Sequence, residues 1–346
     1  MSQVQLLLGA LWIFSFAASL GASFFKLKSA NRTSYALAFA AFVFAGLRPD
    51  SFPDYYEYIQ IISSAQSGNF SDPMYWAVHG EPGFKILIYI LSSISDSYQF
   101  IFFSISMLTY VFIVMLTREL SLKFAVVWFF YLSFFFITRD LGQIRLSLAS
   151  ILIAYAMTRD SFTKAIIFGG VSSLLFQYLS VFVVFFIFIF KAFKFNNKTA
   201  VLIIFTTIIL SYYVNFDIIS NVFNSKLIEN YEGTSYVSLD DAGNMLPMLR
   251  NAIVFIIIFW YLKDFSAIKT FNVYIWASFF SFVSYIIFMD IPILSQRMAA
   301  YFGSIIPFAF ANVMTLAKSK LTKHIAIYGT ALSVFILTLI NSSYLN

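Results

Sequence analysis

Five arginines stand at the ends of apolar runs of helical length: Arg48, Arg139, Arg145, Arg250 and Arg297. A guanidinium presents a planar fork of donors that suits phosphate or carboxylate in bidentate fashion, whereas an ammonium is a mobile point charge. Arg48 is followed by Pro-Asp-Ser-Phe-Pro-Asp-Tyr-Tyr-Glu-Tyr, so that Asp54, Tyr55, Glu57 and Tyr58 crowd one short stretch. Further on, Glu81 directly precedes Pro82, Gly83 and a short apolar segment. Asp54 or Glu81 could accept a proton from a substrate hydroxyl. A carboxylate just before a proline also suits a helix N-terminus, so Glu81 carries both readings. Arg139, Gln143 and Arg145 lie at the mouth of a further helix, whose first turn over residues 142–145 would add backbone N–H groups favouring an anion. Gln296 and Arg297 repeat the theme, with Tyr301 one helical turn on and on the same face. The plainer explanation of these arginines is pairing with the acids around them, Asp50, Asp54, Glu57, Asp72, Glu81, Asp140 and Asp290.

The elements that must position these groups are membrane helices. Of 346 residues, 60% are hydrophobic and only 11% charged, against about a quarter charged in soluble domains. Such a chain cannot cover a water-facing surface, so lipid is part of its solvent. The length allows about ten spans of roughly 20 residues each. Span-length or near-span runs cover 4–25, 34–47, 98–117, 124–138, 145–158, 199–213, 249–262, 271–289, 298–316 and 325–341. Segments 82–95 and 165–191 are ambiguous: the first has the length of a re-entrant or interfacial helix, and the second is too long for one straight span and too short for two. The first run lacks a basic leader and a small-residue cleavage pattern, so it reads as a retained span. The expectation is an all-α integral membrane protein, a single polytopic domain over 1–346, with about ten transmembrane helices (10–12 in all) and short re-entrant or interfacial helices.

The net charge of +6 does not point to nucleic acid, because the lysines fall in short loops between apolar runs. With no cysteine there is no thiol chemistry, and with only His79 and His324 a histidine metal site is not expected, so neither metal nor cofactor is assigned. Lys26, Lys28 and Arg32 place the first loop inside by the positive-inside rule, as do Lys191, Lys194 and Lys198, Lys263 with Lys269, and the lysines at 318, 320 and 323. Loops 48–81 and 214–248, residues 290–297 and the C-terminus then lie outside. If neither ambiguous segment spans fully, Arg118, Lys123, Arg159 and Lys164 are inside, and Arg139 and Arg145 outside. Twelve of 14 lysines then fall inside, whereas five of eight arginines fall outside. Topology explains the lysines but not the arginines, and an anionic group bound at the outer leaflet would explain the arginines.

Loop 214–248 carries Ile219, Val222, Phe223, Leu227 and Tyr231 at helical spacing, consistent with an amphipathic helix on the outer leaflet or with a solvated loop. Loops 48–81 and 214–248 would form the catalytic face. Tyrosines near the outside loops, Tyr55, Tyr58 and Tyr301 among them, could face a ligand or serve as the interfacial belt.

Taken in order, these features resemble the EpsG/Wzy family of polysaccharide polymerases. The carrying stretches are Arg48 with Asp54-Tyr55-Tyr56-Glu57-Tyr58, Glu81-Pro82-Gly83-Phe84, Ile144-Arg145-Leu146-Ser147-Leu148-Ala149, Phe176-Gln177-Tyr178-Leu179-Ser180 and Arg297-Met298-Ala299-Ala300-Tyr301-Phe302. Leu146 stands where the family often has glutamine, and Gln177 where it often has histidine, so Gln177 either hydrogen-bonds a sugar or satisfies a helix break. The resemblance implies a GT-C-like membrane fold in the bacterial cytoplasmic (inner) membrane, with its active face extracytoplasmic. It implies a metal-independent glycosyltransferase joining undecaprenyl-pyrophosphate-linked oligosaccharide repeat units, as in O-antigen of lipopolysaccharide, capsule or exopolysaccharide. A repeat-unit flippase and a chain-length regulator are the implied partners. On that reading Asp54, Glu81 and Arg145 are catalytic, and Arg48, Arg139, Arg145, Arg250 and Arg297 hold pyrophosphate. Tyr55, Tyr58, Gln143, Gln177, Gln296 and Tyr301 contact sugar. A transporter or flippase of an anionic lipid or solute would use outside arginines and broken helices equally well. A glycan ligase is the third alternative.

Overall fold

In hydrocarbon every backbone N–H and C=O must be satisfied within its own segment or by a neighbour, and a run of apolar residues does this by coiling into an α-helix. The computed structural model describes residues 2–71, 80–175, 180–211, 242–288, 291–316 and 321–342, and among them it is helical throughout, with no strand. The helices are α1 (Gln3–Ser23), α2 (Lys28–Gly46), α3 (Tyr55–Gln66), α4 (Pro82–Ser92), α5 (Tyr98–Glu119) and α6 (Phe124–Tyr131). A π-helical segment (Leu132–Gly142) follows, then α7 (Ile144–Thr158), α8 (Phe162–Leu175), α9 (Ser180–Ala192) and α10 (Asn197–Ser211). The chain ends with α11 (Ala242–Leu262), α12 (Lys269–Ile287), α13 (Pro292–Gly303), α14 (Ile306–Leu316) and α15 (Leu321–Asn341). Among the described residues, six stretches are long and apolar enough to cross a membrane: Gln3–Ser23, Tyr98–Glu119, Phe124–Gly142, Lys269–Ile287, Leu294–Leu316 and Thr322–Asn341. Shorter apolar helices, α4 and α7 to α10 among them, accompany these. The chain is a multi-pass membrane protein.

Three expectations are refined. Segment 82–95 is a short helix, α4, as its length suggested. Segment 165–191 contains two helices, α8 and α9, rather than one long span. What reads as a loop over 138–145 is the end of the π-helical segment; α7 begins only at Ile144, with Gln143 at its N-cap, not at residue 142. The amphipathic pattern over 219–231, Gln177 and His79 lie outside the described residues.

Two compact units form, Met1–Val181 with Pro307–Asn346, and Phe182–Ile306. In the first, the buried axis is α6 with the π-helical segment, 94% of whose span window is buried, against 33% for α1 and for α15. Around it, α2 packs on α5 and α6, α1 on α2 and α6, α7 on α5 and α8, and α15 on the π-helical segment. Indole N–H groups fix the offsets: Trp12 Nε1 donates to Ser133 Oγ at 2.8 Å and Trp128 Nε1 to Ser15 Oγ at 3.0 Å. The close approach of α2 to α5 is why residue 46 is glycine, since a Cβ there would lie 2.6 Å from the Cα of Phe103. The widened helix begins where Ser133 Oγ donates to the carbonyl of Phe129 at 2.8 Å, a side-chain bond that competes with the backbone ladder one turn back. π-Helical turns are rare and frequently accompany functional sites.

In the second unit α12 is the hub, with α10, α11 and α13 packed against it. Its buried Asn272 fastens the chain that leaves α9. Nδ2 donates to the carbonyls of Phe190 at 2.5 Å and Phe193 at 2.7 Å, and Oδ1 accepts from the N–H of Phe195 at 2.7 Å. Asn272→Leu strands the Phe190 carbonyl and the Phe195 N–H in an apolar setting. We expect a cost of about 2–6 kcal/mol, at about 1–3 kcal/mol for each stranded group, seen as a lower melting temperature of the purified protein in detergent. An unshifted melt would mean that the clamp contributes nothing.

Candidate functional site

The π-helical segment ends at Gly142 and the chain restarts as α7 at Ile144. The first N–H groups of a helix have no intrahelical acceptor, so the head of α7 carries partial positive charge. Arg145 is the second residue of that helix. It is only 5% exposed, yet it meets two carboxylates from other elements. Its Nη1 donates to Glu81 Oε2 at 2.6 Å, and its Nη2 lies 3.6 Å from Glu57 Oε1. Its guanidinium also lies 5.5 Å from the ring centre of Tyr58 and 5.7 Å from that of Phe84.

Each carboxylate is delivered by a helix start. Pro82 opens α4 with Glu81 at its N-cap, but the Glu81 side chain makes no capping bond and turns instead to Arg145. Glu81 thus starts the helix through its backbone, while its carboxylate pairs with Arg145 instead of capping. Asp54 holds the N-cap of α3 in the left-handed conformation, at φ 59°, which aspartate tolerates better than most residues. Glu57 follows in the first turn of α3 and remains 45% exposed at its side chain. Tyr58, one residue on, is buried against Phe84 and Phe102 and is within hydrogen-bonding reach of Arg145. Burial pushes its phenol above the ordinary tyrosine value, opposed by the charge of Arg145, so it stays a neutral O–H.

Two other expected anion ligands are committed elsewhere. Arg48 is buried, and its Nη2 donates to three successive carbonyls at the end of the π-helical segment: Asp140 at 3.4 Å, Leu141, and Gly142 at 3.2 Å. Phe52, Tyr58 and Phe102 enclose its guanidinium at 5.9, 5.8 and 5.4 Å. This arrangement is a helix C-terminal cap. Arg139 stacks over the Phe135 ring at 3.6 Å and donates from Nη1 to Ser150 Oγ at 3.0 Å. Ser150 lies five residues further along α7 than Arg145, about 7.5 Å deeper at about 1.5 Å per residue.

Asp140 entered the sequence reading only as a counter-ion, and the structure gives it more to do. Its Oδ2 accepts from Tyr131 Oη at 2.8 Å and its Oδ1 from Ser147 Oγ at 2.6 Å. It thereby ties the π-helical segment to α7 just beyond Arg145. The available signal was the Arg139-Asp140 pair set between two apolar runs with too few residues for an open loop. Asp140→Ala takes the shared acceptor from two buried hydroxyls, which lie 3.1 Å apart and can then satisfy only one another, so we expect a loss of about 1–3 kcal/mol. Asp140→Asn keeps an acceptor and should recover part of it in a detergent melt. Equal melting of both variants with wild type would remove this role.

Tyr55 is half-buried against Phe102 and beside the exposed Tyr56, and Gln143 is half-buried at the N-cap of α7. In the second unit Arg250 is on α11 and Gln296, Arg297 and Tyr301 are on α13. Arg297 and Tyr301 are one turn apart as expected. Gln296 is exposed, but Tyr301 is fully buried and offers no face to a sugar. Among the described residues, no group of three His, Asp or Glu side chains is placed to hold a metal ion.

The EpsG family model matches residues 31–346, and the chain belongs to the EpsG family, a family of polysaccharide polymerase-like membrane proteins. Membership supports a polymerase-like role in polysaccharide biosynthesis. Neither a curated protein nor a solved structure matches the chain.

Proposed function

We propose that this EpsG-family protein is a glycosyltransferase that lengthens a polysaccharide by joining oligosaccharide repeat units carried on a polyprenyl pyrophosphate, at the extracytoplasmic face of the cytoplasmic membrane. The observation that carries the reading is the buried Arg145 at the head of α7, held between Glu81 and Glu57. In the proposed step a hydroxyl of the acceptor unit attacks the anomeric carbon of the donor glycan. The bond from that carbon to the pyrophosphate oxygen breaks, and its electron pair leaves with the lipid carrier.

The charge that develops on the leaving oxygen is what the site must stabilise. Arg145 and the first-turn N–H groups of α7 are fixed donors in a water-poor setting, where such stabilisation is strongest. Glu81 holds Arg145 in place, with the guanidinium on its Oε2. Asp54, half-buried at the head of α3, is the better base for the acceptor hydroxyl. Tyr55 and Gln143, also half-buried near these helix starts, are the sugar contacts.

Deletion of the gene and electrophoresis of surface polysaccharide tests the reading. Loss of the long ladder with a single-unit band remaining, restored by the wild-type gene, is the expected result. An unchanged ladder would dismiss a polymerase, and loss of even the single unit would indicate export or ligation instead.

A further inference from the structure

A guanidinium has two edges able to grip a pair of oxygens, and in Arg145 they are used unequally. Nη1 is taken by Glu81 at 2.6 Å. The other edge, Nε with Nη2, faces Glu57 at 3.6 Å from Nη2, beyond a good hydrogen bond, and the neutral Tyr58 hydroxyl is within hydrogen-bonding reach of the same guanidinium. Nε itself has no hydrogen-bond partner among the described residues, although the side chain is only 5% exposed. A buried donor is rarely left so, because its desolvation is uncompensated. The edge therefore has two donors at the spacing of two phosphate oxygens, at the head of a 15-residue helix whose first amides favour an anion.

The two carboxylates differ in how readily they can leave. Glu81 is buried, and taking it from Arg145 would leave an unpaired charge in a dry setting. Glu57 is 45% exposed at its side chain, and its contact with Arg145 is long, of a kind that contributes little. The helix that carries Glu57 is bounded by two left-handed residues, Asp54 at φ 59° before it and Gly68 at φ 62° after it. Such joints let a short helix enter and leave at sharp angles.

We infer that the Nε–Nη2 edge of Arg145 is the fork that binds a diphosphate, and that Glu57 is the carboxylate it displaces, while Glu81 keeps Nη1. This deepens the reading that Arg145 receives the leaving group, and rests on it. Glu57 covers the fork when no anion is present. It swings into water when the diphosphate enters, and its return after the glycan has moved on helps the spent carrier to leave.

The test is calorimetric titration of the purified full chain in detergent with inorganic pyrophosphate and with farnesyl pyrophosphate. Removing the negative charge of Glu57 from beside the bound anion should tighten binding about tenfold in Glu57→Gln, the size of a like-charge repulsion screened by nearby water. Glu57→Asp, which keeps the charge, should bind like wild type, and Arg145→Ala and Arg145→Lys should bind neither probe. Monodisperse gel filtration of each variant separates lost binding from lost folding. If Glu57→Gln binds no tighter than wild type while the Arg145 variants still fail to bind, displacement of Glu57 is wrong and the Arg145 site stands. If the Arg145 variants bind as wild type does, both fall. Tighter binding of farnesyl than of inorganic pyrophosphate identifies a lipid-borne headgroup as the ligand, and equal binding identifies the free anion. Either order supports the fork.

Discussion

Arg145→Lys is expected to abolish long-chain polymer while the protein remains in the membrane at normal abundance. Lysine keeps the positive charge, so the substitution removes geometry rather than charge. Its single ammonium can satisfy Glu81 or a phosphate oxygen, but it cannot hold one on each side as the guanidinium does between Glu81 and Glu57. Loss of one preorganised donor to a developing oxyanion lowers turnover by about 100- to 1,000-fold in well-studied enzymes, and the expectation here is at least about 100-fold. The measurement is the ladder of surface polysaccharide in a deletion strain complemented with Arg145→Lys, beside an immunoblot of membranes. Lysine is more informative than alanine, because alanine would also leave Glu81 buried without its cation. A normal ladder from Arg145→Lys would place the leaving group elsewhere.

The membrane character and most helices were legible because they depend on local composition: an apolar run must coil wherever it meets lipid. The junction at Ser133 was not legible. A π-helix and an α-helix of the same residues differ by one residue per turn, and the choice depends on a hydroxyl finding the Phe129 carbonyl and on Trp12 reaching Ser133 from another helix. That choice decides where Arg139 and Asp140 point. It turned an expected open loop into the buried tie between Asp140, Tyr131 and Ser147.

The excess of arginine over lysine near one set of loops singled these residues out without separating their tasks. Arg48, Arg139 and Arg145 look alike in sequence, each near a helix end. One caps carbonyls, one stacks on Phe135 and reaches Ser150, and one meets two carboxylates. Lysines cap helices too: Lys123 Nζ donates to the Ala22 carbonyl at 2.7 Å and Lys323 Nζ to that of Val313 at 3.2 Å. A cation after a helix thus has two physical uses, ending a backbone ladder or binding a ligand. Only the partners within a few ångströms distinguish them, and those come from distant parts of the chain. The proximity of Glu57 and Glu81 to Arg145 is of that kind, since 24 residues separate the two acids and 64 separate Glu81 from Arg145.

Arg48→Ala separates these two uses. If Arg48 were a pyrophosphate ligand, its removal would weaken anion binding and leave the fold alone. Its Nη2 instead serves the Asp140, Leu141 and Gly142 carbonyls, which close the π-helical segment immediately before the head of α7. Alanine would leave those carbonyls buried without their charged donor, among the aromatic rings that now enclose the guanidinium. We expect a loss of at least about 3 kcal/mol, at about 1–3 kcal/mol for each of the stranded carbonyls. The effect should appear as a lower melting temperature and lower membrane abundance. Arg48→Lys should fall between alanine and wild type, since an ammonium can still donate to one or two of the carbonyls. Among the molecules that do fold, affinity for pyrophosphate should fall far less than in Arg145→Ala, because the Arg145 fork itself is kept and only the Tyr58 ring is common to the two guanidinia. The opposite pattern, a normal melt with lost pyrophosphate binding, would return Arg48 to the anion site. It would also mean that the end of the π-helical segment is held by something other than the cation now bonded to it.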